Sequence, residues 1–186
     1  MSRLGKKPIK IPEVVEAKIK GKILKLKGPK GGTEYKIPEG IKLEEDGDSI
    51  RVISLRQKKE DRITYGLSRA AISNKVRGVY KGFKKELELF GVGFSANLEK
   101  DELVLTVGYS HPVKIKKPSR VEIKINKNEL KISGIDRGEV GQFAAKIHDL
   151  KRAEPYKGKG FKYKDEIIKR KVGKTALKAE GETAAK

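Results

Sequence analysis

Residues 23–55 and 103–135 align without a gap at an offset of 80. Ile23-Leu24-Lys25-Leu26 falls on Leu103-Val104-Leu105-Thr106, Gly28 on Gly108 and Pro38 on Pro118. Beyond the proline, Ile41, Leu43, Ile50, Val52 and Leu55 fall on Val121, Ile123, Leu130, Ile132 and Ile135. Both copies continue into a helical stretch and reach a Gly-Phe pair, Gly82-Phe83 and Gly160-Phe161, at an offset of 78. A shared glycine, a shared proline and five in-phase apolar pairs point to an ancestral duplication. A chain of 186 residues has room for one or two domains, and the repeat selects two.

Each copy shows two-residue alternation followed by helical periodicity. Val14 to Lys27 reads as a hairpin around Lys20-Gly21, with Ile19, Leu24 and Leu26 toward a core. Thr33–Ile37, Ile41–Glu45 and Ser49–Leu55 read as further strands, with an Asp-Gly hairpin signal at Asp46-Gly47-Asp48. Asn126-Lys127-Asn128 occupies the equivalent turn of the second copy. Alternation with polar outer faces suits antiparallel sheets covered on one side. A helix over Asp136 to Leu150 follows from a capping box, Asp136 with Glu139, and from Val140, Phe143, Ala144, Ile147 and Leu150 on one face. The first helix, about Asp61 to Lys75, carries two apolar stripes: Ile63, Leu67 and Ala70, and, roughly opposite, Tyr65, Ile72 and Val76. The second stripe is expected to touch the other domain or a partner, so that a charge at Ile72 loosens the pair and leaves each half folded.

The charge is unevenly distributed. The chain holds 45 Lys plus Arg and 25 Asp plus Glu, a net of +20, which self-repels unless a polyanion supplies the counter-charge. Nucleic acid is the first candidate and an anionic membrane surface the second. Residues 1–82 carry a net of +11, residues 83–150 only +2, and residues 151–186 carry +7. In the last segment Lys151-Arg152-Ala153-Glu154-Pro155-Tyr156-Lys157-Gly158-Lys159-Gly160-Phe161-Lys162-Tyr163-Lys164 interleaves lysine with glycine and aromatics. Lysine brings charge to a phosphate backbone, glycine allows main-chain N–H groups to approach it, and Tyr156 or Tyr163 can stack or hydrogen-bond. A plain lysine run is usually a solvated loop; the interleaving favours binding. Ile167 and Ile168 are expected to be buried, with Lys169, Arg170 and Lys171 following a short docked strand. The N-terminal arm, with Arg3, Lys6, Lys7 and Lys10, reads as an extended segment that orders on a partner; a frayed terminus is the equal alternative.

Other chemistries find no support. With no cysteine, disulfide frameworks, Cys-ligated zinc and thiol catalysis are excluded. His111 and His148 lie in different elements without metal-ligand spacing. Ser110 and His111 are sequence neighbours whose side chains diverge, so they form no nucleophile–base pair; His111 reads as a turn residue within reach of RNA. Gly91-Val92-Gly93-Phe94 lacks the rest of a dinucleotide fingerprint, no GxxxxGK[ST] phosphate loop occurs, and Gly28-Pro29-Lys30-Gly31-Gly32 reads as a turn. No apolar run approaches the ~20 residues of a membrane span, and no hydrophobic signal region follows the basic N-terminus. A soluble cytoplasmic protein is the expectation.

Met1-Ser2-Arg3-Leu4-Gly5-Lys6-Lys7-Pro8-Ile9, Gly28-Pro29-Lys30-Gly31, Gly108-Tyr109-Ser110-His111-Pro112 and Glu154-Pro155-Tyr156-Lys157-Gly158-Lys159-Gly160 together resemble the family of ribosomal protein six of the large subunit, bacterial type. The resemblance runs from residue 1 to about residue 173. Ala153 and Phe161 depart from the usual pattern, which has Pro or Ser and an aliphatic residue there; neither departure removes a cation. The resemblance implies an α+β fold of two duplicated domains, each an antiparallel sheet with one packed helix. The expected boundaries are 1–82, with the basic arm, and 83–173, with the basic extension, followed by a disordered tail at 174–186. It also implies a structural, non-enzymatic component of the cytoplasmic ribosome. Such a component binds 23S ribosomal RNA chiefly through its C-terminal domain, near the sarcin–ricin loop and the elongation-factor site, beside other large-subunit proteins. Cofactor, metal and small-molecule substrate are not expected. Carried onto this chain, Tyr156, Lys157, Gly158, Lys159 and Gly160 are the contact residues. Lys162, Lys164, Lys169, Arg170, Lys171 and Lys174 follow by charge and adjacency, then Ser110 and His111. A free-standing nucleic-acid-binding module is the alternative, and an enzyme acting on RNA a distant third.

Overall fold

The computed structural model describes residues 5–55 and 59–173, with the backbone alone at 59–62. Arg3, Lys174 and the tail at 174–186 lie outside the described residues. Among the described residues, antiparallel sheets and two helices make the fold α+β, as the alternation and periodicity require. Two compact units divide it: the chain up to Phe83 with Ser133–Val140, and Lys84–Ile132 with the chain from Gly141 onward.

The first unit contains β1 (Ile9–Lys10), β2 (Glu16–Lys20), β3 (Ile23–Gly28), β4 (Gly31–Lys36), β5 (Ile41–Asp46), β6 (Ser49–Ser54) and helix α1 (Lys59–Tyr80). Two three-stranded antiparallel sheets form, in the orders β2-β3-β4 and β1-β6-β5. Period-2 patterning sends Leu24 and Leu26 of β3, Ile41 and Leu43 of β5, and Ile50 and Val52 of β6 into one core. Helix α1 covers that core, touching β1, β3, β4 and β6. Tyr65, Ile72, Val76 and Val79 are its buried hydrophobic side chains among the described residues. A fully buried Ile such as Ile72 stabilises by about 1.5–3 kcal/mol through removal of apolar surface from water.

Three expectations change here. The Tyr65–Ile72–Val76 stripe faces the helix's own sheets, whereas Ile63 and Leu67 are the exposed pair, at 70% and 66%. Periodicity locates stripes but does not say which of two is covered. The helix also runs to Tyr80, because buried Val76 and Val79 carry the apolar face beyond Lys75. It stops at Gly82, which adopts φ +74° and whose N–H donates to the Gly78 carbonyl at 3.0 Å, a left-handed C-terminal cap. Finally, the described part of the N-terminal arm lies on its own unit. Ile9 is buried and pairs with Ile50 of β6, and Arg69 Nε donates to the Lys7 carbonyl at 3.4 Å. That segment needs no external partner to order it.

The second unit holds most of β7 (Phe83–Phe90), β8 (Ser95–Glu99), β9 (Glu102–Thr106), β10 (Val113–Lys116), β11 (Val121–Asn126), most of β12 (Glu129–Gly134), most of α2 (Arg137–Leu150) and β13 (Gly160–Tyr163); the end of β12 and the first turn of α2 belong to the first unit. Its sheets run β10-β9-β8 and β11-β12-β7-β13. Asp136 caps α2: its Oδ1 accepts from Gly138 N–H at 2.7 Å. Val140, Phe143, Ala144 and Ile147 form the buried face of the helix.

The duplication is visible, with a one-residue slip. From Ile41 onward an offset of 80 superposes buried on buried: Ile41 on Val121, Leu43 on Ile123, Ile50 on Leu130, Val52 on Ile132. Through the first hairpin the faces match only at an offset of 79, where buried Leu24 and Leu26 meet buried Leu103 and Leu105. Leu26 pairs with Thr33, and Leu105 with Val113 one residue further along, so the β9–β10 connection carries the extra residue. The gapless alignment therefore turns β3 onto the wrong face of its copy. The turns agree with the corrected offset. Lys100 at φ +52° stands where Gly21 has +57°, and Lys127 at +51° stands where Gly47 has +56°.

Candidate nucleic-acid interface

The basic segment leaves the end of α2 and returns to the sheet as β13. Phe161 N–H donates to the Lys151 carbonyl (2.7 Å), Ala153 N–H to that of Phe161 (3.1 Å), and Glu154 N–H to that of Lys159 (3.0 Å). These bonds close a narrow loop with Tyr156 and Lys157 near its tip. β13 then adds to β7, pairing Gly160 with Phe90, Phe161 with Leu89, and Lys162 with Glu88. Phe161 is wholly buried and anchors the return.

The glycines do a different job from the one expected. Gly158, at φ +72°, donates its N–H to the Glu154 carbonyl at 2.8 Å, so that donor is already used inside the loop. Gly160, at φ +134°, lies against the backbone of residues 151 and 152; a Cβ there would sit 2.6 Å from both carbonyl oxygens. Both shape the loop that presents the lysines.

The cations divide into two classes. Lys162 lies 2.9 Å from the Glu88 carboxylate, joining β13 to β7, and Lys164, the residue after β13, lies 3.1 Å from Glu86 of β7. The hydrogen bond from Lys164 holds the Glu86 carboxyl below its ordinary value, with nearby lysine charge helping, and the same bond pushes Lys164 upward. Lys157, Lys159, Lys169, Arg170 and Lys171 form no ion pair among the described residues. All are exposed except half-buried Lys159. Lys157, Gly158, Lys162, Lys164 and Arg170 converge on one open hollow of about 360 Å³, which Phe90 and Glu166 also line. The Lys162 ammonium stands 4.8 Å from the Phe90 ring centroid.

Tyr163 and Tyr156 separate in the same way. Tyr163 stacks on His148 with ring centroids 4.9 Å apart. His148 Nε2 lies 3.3 Å from the Glu166 carboxylate, which also accepts from Tyr163 N–H at 3.0 Å. Burial, then the charges of Asp149 and Glu166, push the Tyr163 hydroxyl upward. Asp149 is held low chiefly by its hydrogen bond from Arg152, whose Nη2 lies 2.8 Å away. Tyr163 is thus part of the clamp that docks the extension, and Tyr156, 54% exposed, is the ring open to a partner.

Ser110 and His111 are exposed on the β9–β10 connection and do not line the hollow. Their neighbour Tyr109 ties that loop to the root of the extension: its hydroxyl donates to the Leu150 carbonyl at 2.6 Å. Ile167 is 91% exposed, and residues 165–173 form no strand, contrary to the docked strand expected there. Two backbone bonds, Glu166 N–H to the Tyr163 carbonyl and Lys171 N–H to the Pro155 carbonyl, each 3.0 Å, hold that stretch instead. In the sequence Phe90 and Glu166 carry no signal, His148 reads only as a histidine without metal-ligand spacing, and Tyr109 only as part of the Gly108–Pro112 motif. Each acts across chain separations that only strand register reveals. Among the described residues no cluster of His, Asp and Glu suits a metal ion, and no helix is long and apolar enough to cross a membrane.

Comparison with known proteins bears on the same features. A family model described as ribosomal protein L6 matches residues 11–82 and 90–164, two segments that follow the duplication. Large ribosomal subunit protein uL6 of Moorella thermoacetica is 48% identical over 179 residues, 96% of this chain and 98% of that protein. The proteins of the same name from Syntrophomonas wolfei and Gloeothece citriformis are each 45% identical over 96% of this chain and 100% of theirs. With both copies matched and the similarity running nearly end to end, the chain belongs to the ribosomal protein L6 family, non-enzymatic structural components of the large ribosomal subunit.

Proposed function

We propose that this chain holds 23S ribosomal RNA chiefly through its C-terminal domain, residues 83–173, with the extension after α2 as the contact element. In the cytoplasmic ribosome it stands near the sarcin–ricin loop and the elongation-factor site, beside other large-subunit proteins. The observation that carries the reading is a set of cations that form no ion pair among the described residues: Lys157 and Lys159 on a loop stapled at its base with Tyr156 exposed at the tip, and Lys169, Arg170 and Lys171 on the stretch after β13 that bonds back to Pro155. Neutralising phosphates releases counterions and gives a steep salt dependence. A stacking ring and lysines without side-chain base readers suit recognition of RNA by shape and backbone. Gly158 and Gly160 serve by shaping the loop, Lys162 and Lys164 by docking it and lining the hollow. Lys174 extends the same basic run, and Ser110 and His111 flank its root.

The test is binding of the full chain to its large-subunit RNA across a salt series. Lys157→Ala with Lys159→Ala should weaken binding and reduce the slope of log affinity against log salt by ~0.7–0.9 per lost phosphate contact. Unchanged affinity and slope would show that the loop is not the contact. The location is checked by footprinting subunits assembled with and without the chain: protection away from the sarcin–ricin region removes that part of the proposal.

A further inference from the structure

Residues 1–82 carry +11 of the net charge, and the loop just described accounts for none of it. Five of the lysines in that segment share one surface. The outward side of the β2-β3-β4 sheet presents Lys18 and Lys20 from β2, Lys25 and Lys27 from β3, and Lys36 from β4, all exposed. Only Glu16 and Glu34 oppose them on that side. Strand pairing sets Lys18 directly opposite Lys25. Like charges in that position destabilise a sheet, because their Cβ atoms stand about 5 Å apart. Lys25 bonds Glu34 at 2.8 Å and Lys18 lies 3.7 Å from Glu16; Lys20, Lys27 and Lys36 form no ion pair among the described residues.

The duplication supplies an internal control. At the corrected offset the same face of the second copy, on β8-β9-β10, reads Ser95, Asn97, Glu99, Glu102, Val104, Thr106, Lys114 and Lys116. There two lysines meet two glutamates, and Lys116 pairs in register with Glu102. Lys18 has become Asn97, Lys20 Glu99, Lys25 Val104 and Lys27 Thr106. One fold thus has two versions of one face, neutral in one and strongly basic in the other. Solubility does not require the difference.

We infer that the β2-β3-β4 face of the first unit is a second RNA-binding surface, which lies on the phosphate backbone of a double-stranded ribosomal RNA segment. Strands about 4.8 Å apart, with outward side chains about 6.7 Å apart along each, make a plate about 10 Å by 15 Å. Such a plate can meet several phosphates of one duplex. The face has no aromatic ring to stack a splayed base and no Asn, Gln or Arg to read a base edge. Flexible lysines acting as point charges match phosphates in a regular helix. The inference goes beyond the loop contact and is tested separately from it.

The chain contains no cysteine, so a single introduced thiol is a unique attachment point. Full-length Lys25→Cys and Lys18→Cys chains, and separately Lys159→Cys, would carry a tethered iron chelate that releases hydroxyl radicals in reconstituted large subunits. Both face positions should cut the two strands of one RNA helix, at sites distinct from those cut from position 159. Lys18 and Lys25 are exposed and Lys159 is half-buried, none of them in the core, so the fold tolerates the changes. Lys18→Gln with Lys25→Gln and Lys27→Gln should lower the salt slope of incorporation by roughly 2. Silence at positions 18 and 25 while position 159 cuts would overturn the second surface alone. Amine crosslinks from Lys25 and Lys27 to carboxylates of a neighbouring protein, without RNA cuts, would overturn it in favour of an acidic protein partner. Cuts from 18 and 25 with silence at 159 would support it and overturn the loop contact instead.

Discussion

Replacing Gly160 by alanine should unfasten the extension while leaving the first unit intact. Three costs meet at this residue. A side chain at φ +134° occupies a backbone region essentially reserved for glycine, at about 1–3 kcal/mol. The new Cβ would sit 2.6 Å from the carbonyl oxygens of both Lys151 and Arg152, closer than carbon and oxygen tolerate, so the two segments must part. Parting them lengthens the bonds from Phe161 N–H to Lys151 and from Ala153 N–H to Phe161, each contributing about 0.5–1.5 kcal/mol. Together the loss is about 2–6 kcal/mol, a large share of the 5–15 kcal/mol typical of a folded protein. Segment-resolved hydrogen exchange is the suitable assay, because it reports local opening without assuming one two-state transition. Amides of β13 and of the β7 residues paired with it should exchange roughly 30-fold to 10⁴-fold faster, at tenfold per 1.4 kcal/mol. Those of β3 and α1 should keep their protection. Gly21→Ala is the control: φ is +57° there and nothing lies within 4 Å of an added Cβ. It should cost only about 1 kcal/mol. Exchange of Phe161 and Lys162 within threefold of wild type in Gly160→Ala would refute the close-approach reasoning.

Ile72→Asp should unfold the first unit, because it puts a charge at a fully buried position, whereas Ile63→Asp should change its urea midpoint little. Lys127→Gly should stabilise by about 0.5–1 kcal/mol in thermal or urea unfolding: relief of the left-handed backbone exceeds the extra chain entropy glycine loses. The Glu86–Lys164 pair should release β13 in acid. The carboxyl is depressed in the folded state, so its contribution is complete above the ordinary value of 4.5 and is lost as pH falls below that through the lowered value. Lys164 is raised above its ordinary 10.5, so alkali up to that point costs the pair nothing. Exchange of β13 amides measured from pH 7 to pH 3 should show this loss, and Glu86→Gln should flatten it.

The sequence made some elements legible and hid others for specific reasons. The alternation around Leu24 and Leu26, the turn at Gly47 and the cap at Asp136 are local features, and all three appear in the structure. The first-hairpin register was not recoverable, because Ile23 and Leu24 are adjacent apolar residues and offsets of 79 and 80 both match apolar to apolar. Only burial distinguishes exposed Ile23 from buried Leu24. For α1, two stripes of similar strength left the covered one undetermined. At the interface the lysines could be named, but their division could not. Glu86 and Glu88 lie far back in the chain, and only the β7–β13 pairing places them opposite Lys164 and Lys162. The same holds for His148: nothing in its own stretch of sequence places it against Tyr163 and Glu166, which it meets around one docking point.

Salt should act on this chain with opposite signs in two experiments. In the free protein the unpartnered cations repel, and the opposed Lys18 and Lys25 are close enough that a Debye length of ~10 Å at 0.1 M barely screens them, whereas ~3 Å at 1 M does so substantially. The competing loss is of surface ion pairs such as Lys25–Glu34, worth about 0–1 kcal/mol each and screened likewise. With a net charge of +20 the repulsions outnumber the pairs, so the urea midpoint of the free chain should rise between 0.1 M and 1 M sodium chloride. Chloride is the appropriate salt, because sulfate would stabilise by exclusion from the surface whatever the charge. Over the same range RNA affinity should fall steeply, since each phosphate contact gives up its released counterion. Lys18→Gln with Lys27→Gln should reduce the stability gain, whereas Lys162→Gln should not, because Lys162 is already paired with Glu88. A midpoint that falls with salt would mean that internal ion pairs, and not repulsion among unpartnered lysines, dominate the electrostatics of the free protein. The assignment of those lysines to RNA would then lose its energetic basis.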